Sequence, residues 1–228
     1  MSKANTKPRP QRSGNRERII EAAIQMMNIQ GSNIGTKQIA VRTGISPGNI
    51  YYYFNNFSEI ALEVVSRLRS ELFEILALPA HGPVNPTQVV GYYSGGAEVL
   101  WRYRFVISSG RELTHRSPEL ESSFREFTNE GIEAVRRILE NLFEYNPGTN
   151  KVDQSLCRSL AENMWVLWSA WPRHVETKNA TDQTNPQEIA KGLQQVALIL
   201  VPYVDVHFYR QVDEGLLYYV SNLKENSA

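Results

Sequence analysis

The sequence predicts an all-α protein, and three observations carry that prediction. Apolar residues recur at steps of three and four in block after block, the spacing that gives a helix one buried face. No block alternates apolar and polar residues with the period of two that a half-buried strand requires. Gly, Pro, Ser, Thr and Asn gather at the block ends, where helices start and stop. The chain has 228 residues, 42% hydrophobic and 21% charged, which excludes a wholly disordered or collagen-like polymer. That length allows one or two domains of roughly 100–200 residues each.

Residues 1–14 (MSKANTKPRPQRSG) hold Pro8, Pro10 and Gly14 and almost nothing apolar, so a disordered basic arm is expected there. From Asn15 a helical face runs through Ile19, Ala22, Ala23, Met26 and Met27 and stops at Gly31. Thr36 is expected to cap a short second helix from Lys37 to Thr43, which Gly44 closes. Ser46-Pro47 repeats the start signal, a capping hydroxyl before a proline, for a third helix ending near Phe54. Ser58-Glu59 is expected to open a longer connecting helix over residues 58–78, through Leu62, Val65, Leu68, Leu72, Ile75 and Leu76. The breaker-rich stretch from Pro79 to Pro86 reads as a loop. Beyond it, helical blocks are expected at about 87–108, 117–145, 152–175, 186–203 and 205–223.

Charge is distributed unevenly although 24 basic side chains balance 24 acidic ones. Residues 1–60 hold eight basic side chains against Glu17, Glu21 and Glu59, an excess of five positive charges that the remaining 168 residues offset. A basic first quarter on an acidic remainder implies that the N-terminal part meets a polyanion. The single cysteine, Cys157, excludes an intramolecular disulfide and fits a reducing compartment. The longest apolar run, Val196 to Val204, falls well short of the roughly 20 residues needed to cross a bilayer. No apolar stretch follows the basic N-terminus, so no signal peptide is expected. These features predict a cytoplasmic protein with no membrane partner.

The informative stretch is TKQIAVRTGISPGNIYYYF, from Thr36 to Phe54. Two short helices flank a tight turn at Gly44, Ile45 and Ser46, and Ile39 and Ala40 can meet Ile50 and Phe54 across Ile45. That is the helix-turn-helix design, whose second helix enters the major groove of DNA. Its first turn, Pro47, Gly48 and Asn49, carries little bulk to block close approach. Asn49 suits bidentate pairing with adenine. Tyr51, Tyr52 and Tyr53 supply hydroxyls for phosphates and ring edges for a thymine methyl group, with Phe54 and part of Tyr51 expected in the core.

Residues 16–65 resemble the DNA-binding domain of the tetracycline-repressor (TetR) family of bacterial transcription regulators. Arg18-Ile-Ile-Glu-Ala-Ala23 with Gly31 is similar to that family's first helix. Thr36, Ile39-Ala40, Gly44-Ile45-Ser46, Gly48, Ile50-Tyr51 and Phe54 are similar to its helix-turn-helix. The resemblance implies that Thr36, Tyr51 and Tyr53 contact phosphates. Lys37, Pro47, Gly48, Asn49 and Tyr52 would lie nearest the bases, with Ser46 at the helix start. Two positions depart from the family pattern. Phe57 stands where the family often has a phosphate-binding lysine, and Ser32 stands where it favours an aromatic; Ile34 is the candidate to fill the vacated core space.

The resemblance also implies that residues 79–228 form a helical effector-binding and dimerisation domain, joined through the connecting helix to a helix-turn-helix domain over 15–57. Leu100-Trp-Arg-Tyr-Arg-Phe105 and Ser117-Pro-Glu-Leu120 are similar to a subset of that family. Trp165, Trp168 and Trp171 recur at steps of three, and with Trp101, Phe105, Phe124 and Phe127 they are the candidates to line a small-molecule cavity. Ordinary core is the alternative for each. Arg111, Glu112 and His115 are weaker candidates to orient a polar ligand group. The blocks Ile189–Val204 and Phe208–Leu223 are apolar enough to pack on a partner copy as well as on their own domain.

No metal or cofactor is expected: His81, His115, His174 and His207 lack ligand spacing, and Gly95-Gly96 lacks the lysine of a phosphate loop. Cys157, on an apolar helix, is expected to be buried and inert. The sequence reading is a homodimeric repressor that binds a palindromic operator and is released by a small effector. A helical enzyme tethered to DNA and an architectural DNA-binding protein stand as alternatives.

Overall fold

In the computed structural model, residues 12–31, 33–108, 110–148, 150–178 and 185–225 are described, and their regular structure is helical apart from one isolated bridge, Pro147 to Val204. The N-terminal unit is α1 (Arg12–Gln30), α2 (Thr36–Thr43) and α3 (Pro47–Tyr53), on which the first half of α4 (Phe57–Ile75) packs. Then follow α5 (Pro86–Arg102), two short helices α6 (Arg104–Ser108) and α7 (Gly110–Thr114), α8 (Pro118–Tyr145), α9 (Gln154–Lys178), α10 (Pro186–Ala197) and α11 (Val206–Glu225). Most of the arm expected over 1–14 lies outside the described residues. Its last three residues do not belong to it, because α1 already begins at Arg12. Extending a helix that is already nucleated fixes one residue per new bond, so a polar turn joins at little cost.

Two capping assignments differ from expectation. Gly35, not Thr36, is the N-cap of α2, its N–H donating to Gln38 Oε1 at 3.1 Å; Thr36 is the first helical residue. Asn56, not Ser58, caps α4 through Oδ1, which accepts from the Glu59 amide at 3.0 Å. Glu59 reaches back to the Asn55 amide at 2.8 Å, so two otherwise unpaired donors are satisfied. Ser46 does cap α3, accepting from the Asn49 amide at 3.3 Å. The block expected over 87–108 breaks at Tyr103, a fully buried side chain whose hydroxyl donates to Glu71 at 2.8 Å. The block expected over 186–203 tightens after Ala197 into a 3₁₀ turn ahead of Pro202.

One continuous core runs through both units. Ile19, Ile39, Ile50 and Ile60 are fully buried at the N-terminal end, and Leu68, Leu72, Leu100 and Leu139 carry the core onward. α4, about 28 Å long at 1.5 Å per residue, belongs to both ends. Its flank carries paired charges. Arg16 makes a two-pronged bond to Glu63 at 2.7 and 2.8 Å, and Arg67 makes another to Glu17 at 2.5 and 2.6 Å. Arg102 of α5 reaches Glu21 at 2.5 Å, tying α5 to α1.

The hydrogen bonds from Arg67 and Arg16 hold the Glu17 and Glu63 carboxyls below the usual carboxylate range. Because these pKa values are lower folded than unfolded, the pairs contribute stability above about pH 4.3 and lose it as pH falls through and below that value. Thermal melts of wild type and Glu63→Gln should therefore differ at pH 7 and converge below pH ~4. A difference that stays constant with pH would show that ionisation of Glu63 adds no stability.

Candidate nucleic-acid interface and ligand cavity

The turn between α2 and α3 works because Gly44 takes φ 67°, a left-handed conformation that costs glycine nothing. Ile45 then drops into the core, and Ile39, Ala40, Ile50 and Phe54 are buried around it, as the spacing predicts. The opposite face is solvent-facing: Lys37, Ser46, Pro47, Gly48 and Asn49 are all exposed. Nothing lies within 4 Å of where a Gly48 side chain would begin, so the start of α3 is open to an incoming groove.

The tyrosines divide differently from expectation. Tyr51 is 51% exposed and Tyr52 66% exposed, so the partial core role expected for Tyr51 is small. The Tyr51 hydroxyl instead sits 3.4 Å from Thr36 Oγ1, and the two form a polar pair across the α2–α3 junction. Tyr53 is half-buried against the core, edge-on to Tyr52 with ring centroids 5.1 Å apart. Three successive helical residues point about 100° apart, so they cannot share one face.

Of the two departures from the family pattern, Phe57 acquires a structural reading. Phe57 is buried, and the Arg116 guanidinium, from the segment between α7 and α8, lies over its ring at 4.7 Å. Arg116 also donates to the Ile34 carbonyl at 3.5 Å. Ser32 is outside the described residues, but Ile34 is buried, as expected. Phe105 of α6 lies against the other side of the same corner, with a ring carbon 3.3 Å from a Cβ built on Gly31. Asn28 fastens this contact, donating to the Arg102 carbonyl at 2.7 Å and accepting from the Phe105 amide at 3.1 Å.

In the second unit, α4, α5, α8, α9 and α10 enclose a cavity of about 80 Å³. Leu72 and Leu76 wall it on one side, Tyr92, Tyr93 and Gly96 on another, and Ile138 and Leu139 on a third. Met164, Trp165 and Trp168 come from α9, and Leu193 and Val196 from α10. Trp165 and Trp168 thus take the position expected of them, their rings 5.2 Å apart.

The other five aromatic candidates do not line this cavity. Phe127 packs behind Trp165, edge-on at 5.2 Å. Trp171 points to α10, donating to the Glu188 carbonyl at 2.9 Å. It is six residues beyond Trp165, a rotation of about 120° around α9. Trp101 lies under the Arg104 guanidinium at 4.0 Å. Phe105 serves the Gly31 corner, and Phe124 packs on Gly110. Arg111, Glu112 and His115 are exposed around α7 and do not join the cavity. Cys157 is buried, and burial pushes its thiol up to about 11, which disfavours the reactive thiolate.

Tyr93 went unnoticed in the sequence, and it is chemically the most unusual group in the wall. Its hydroxyl is the one buried side-chain polar atom among the described residues that has no hydrogen-bond partner. A tyrosine on an apolar helix face gives no warning of that, because satisfaction is decided by neighbours far away in sequence.

A capped recognition helix with an open polar face, coupled through one long helix to an apolar cavity, defines a helix-turn-helix regulator with a separate ligand-binding unit. The description "bacterial regulatory proteins, tetR family" matches residues 19–64, and "TetR: bacterial transcriptional repressor" matches residues 67–212. The chain belongs to the TetR family of bacterial transcription regulators; it is a DNA-binding repressor with a helical ligand-binding domain.

A TetR-family transcriptional regulator from Marinobacter aquaeolei VT8 is 27% identical over 90% of this chain and 98% of its own, with a TM-score of 0.79. A transcriptional regulator from Saccharomonospora viridis, in complex with choline, is 16% identical over 85% of this chain and all of its own, with a TM-score of 0.66. One from Rhodococcus sp. Rha1 is 16% identical over 84% of this chain and 98% of its own, with a TM-score of 0.63. The last two share the fold. No curated protein matches the chain. Among the described residues, no helix is long and apolar enough to cross a membrane.

Proposed function

We propose that this chain acts in the cytoplasm as a homodimer that binds a palindromic operator and releases it when a small effector enters the Trp165–Trp168 cavity. The observation that carries the reading is the shared use of α4. Its Ile60 and Val64 belong to the buried core around the helix-turn-helix, while Leu72 and Leu76 at its other end wall the cavity. A ligand that changes the spacing of the cavity walls therefore acts on the helix that packs against α1 of the DNA-reading unit. The size of the effect is set by the ligand's differential affinity for the two arrangements.

In this reading Thr36, Tyr51 and Tyr53 bind phosphates, and Lys37, Pro47, Gly48, Asn49 and Tyr52 face base edges, with Ser46 holding the helix start. Phosphate contacts fix register and base contacts fix sequence choice. The Thr36–Tyr51 pair supports the first role, because it presents two hydroxyls side by side at the rim of the helix-turn-helix. Exposed apolar side chains along the C-terminal segment support self-association: Leu198, Val201, Val206, Leu217 and Tyr218 are each 46–70% exposed. Two-fold dimers are the commonest oligomers, and a dimer sets two recognition helices about one helical turn of DNA, or a multiple of it, apart. Sedimentation as a strict monomer at high micromolar concentration would remove this part of the reading.

The test is fluorescence anisotropy with DNA from upstream of the protein's own gene against a scrambled duplex, at two salt concentrations. Wild type is expected to prefer the native sequence by about a thousandfold or more. Asn49→Ala should reduce that preference by about tenfold or more, the share of one bidentate contact. Tyr51→Phe should weaken both duplexes alike. Equal effects of the two substitutions on both duplexes would contradict the assignment of roles.

A further inference from the structure

Resting on the reading of the cavity as the effector site, we infer that the effector is an uncharged, largely apolar molecule bearing one hydrogen-bond acceptor, to which the Tyr93 hydroxyl donates. No residue of the cavity wall carries a charged side chain. Moving an ion into such a place costs several kcal/mol, even after relaxation, unless a counter-charge is supplied. Carboxylates, phosphates and ammonium compounds are therefore poor occupants.

The wall residues carry four side-chain donors, the hydroxyls of Tyr92 and Tyr93 and the indole N–H groups of Trp165 and Trp168. The Tyr92 hydroxyl is already committed, donating to the Ala77 carbonyl at 3.0 Å, and the Trp168 indole N–H donates to the Gly96 carbonyl at 3.4 Å. Tyr93 Oη has no partner, and a buried hydroxyl in that condition is costly. A carbonyl, ester or ether oxygen carried by the ligand removes that cost without bringing a charge. Ligand pockets of ordinary size run to about 300–1,000 Å³, so the cavity of about 80 Å³ must widen for anything beyond a small molecule. The half-buried Leu76, Tyr92 and Val135 form its least constrained side, where widening meets the least resistance.

The test uses the full chain and follows its tryptophan fluorescence, to which Trp165 and Trp168 contribute, on titration with four probes built on a six-carbon chain: hexane, methyl hexanoate, hexanoate and hexyltrimethylammonium. Methyl hexanoate is expected to bind at least about tenfold more tightly than either ion. Tyr93→Phe should weaken the ester by about three- to tenfold and leave hexane unchanged. The same substitution should raise the melting temperature of the free protein by roughly 2–4 °C, since it deletes a hydroxyl that nothing satisfies.

An ion that binds as tightly as the ester, or ester affinity unmoved in Tyr93→Phe, overturns the inference while the cavity remains the effector site. Val135→Phe, which fills the cavity, separates the two levels. Ester binding that survives it places the ligand elsewhere and overturns the effector-site reading. Failure of all four probes to perturb the fluorescence overturns both.

Discussion

Gly131→Ala is expected to abolish binding in the cavity and to lower stability by about 1–3 kcal/mol, the usual penalty of overpacking a core. Gly131 lies on α8 directly against the Trp165 indole, and a Cβ placed there would stand 2.1 Å from two of its ring atoms. The ring has little freedom to slide sideways, because Phe127 and Trp168 each sit 5.2 Å from it, centroid to centroid. The unfilled direction is the cavity. Alanine also favours helix over glycine by about 1 kcal/mol, which offsets part of the clash but not its geometry. The indole should move inward, fill the space and change its emission. Thermal unfolding together with a methyl hexanoate titration measures both consequences. Wild-type emission, melting temperature and ester affinity in the variant would show that α8 and α9 separate freely, and that Trp165 is not a fixed wall.

Phe57→Lys is the second large effect, and its sign runs against the family pattern. A lysine here would supply the phosphate contact that many relatives make, so sequence comparison alone predicts tighter operator binding. The structure predicts the reverse. Phe57 is 8% exposed, and the Arg116 guanidinium covers its ring. Substitution removes the packing of a buried aromatic, about 3–5 kcal/mol when such a residue is truncated, and sets an ammonium beside a guanidinium. Urea denaturation should show a loss of that order, and operator affinity should fall. Unchanged stability with tighter DNA binding would mean that the Arg116–Phe57 contact holds nothing together.

How much of this was legible in the sequence depends on the range of the interactions involved. The helix-turn-helix could be read because it is local: Gly44, the Ser46-Pro47 start and the five core positions interact within twenty residues. The caps at Gly35 and Asn56 were less legible, since Thr36 and Ser58 offered equally good hydroxyls one or two residues away. Only the packed geometry chose between them. In the second unit, Trp165 and Trp168, three residues apart on α9, share one wall of the cavity. The same spacing misled at Trp171, where the accumulated rotation carries the ring to α10. The rest of the wall comes from five helices separated by more than a hundred residues, and no pattern within any one of them marks it. Tyr93 belongs to that group.

The Gly31 corner has a practical consequence for building hybrids. Phe105, from the effector half, packs against Gly31 of the DNA-reading half, and Asn28 and Arg116 join the two halves on either side of that contact. A chimera that joins residues 1–57 of this chain to a foreign effector domain would lose the Phe105 and Arg116 contacts that this corner makes. Grafts that also transplant Phe105 and Arg116 should give soluble hybrids where the simple splice aggregates. The modular unit is thus cut along a contact surface and not at a point in the chain.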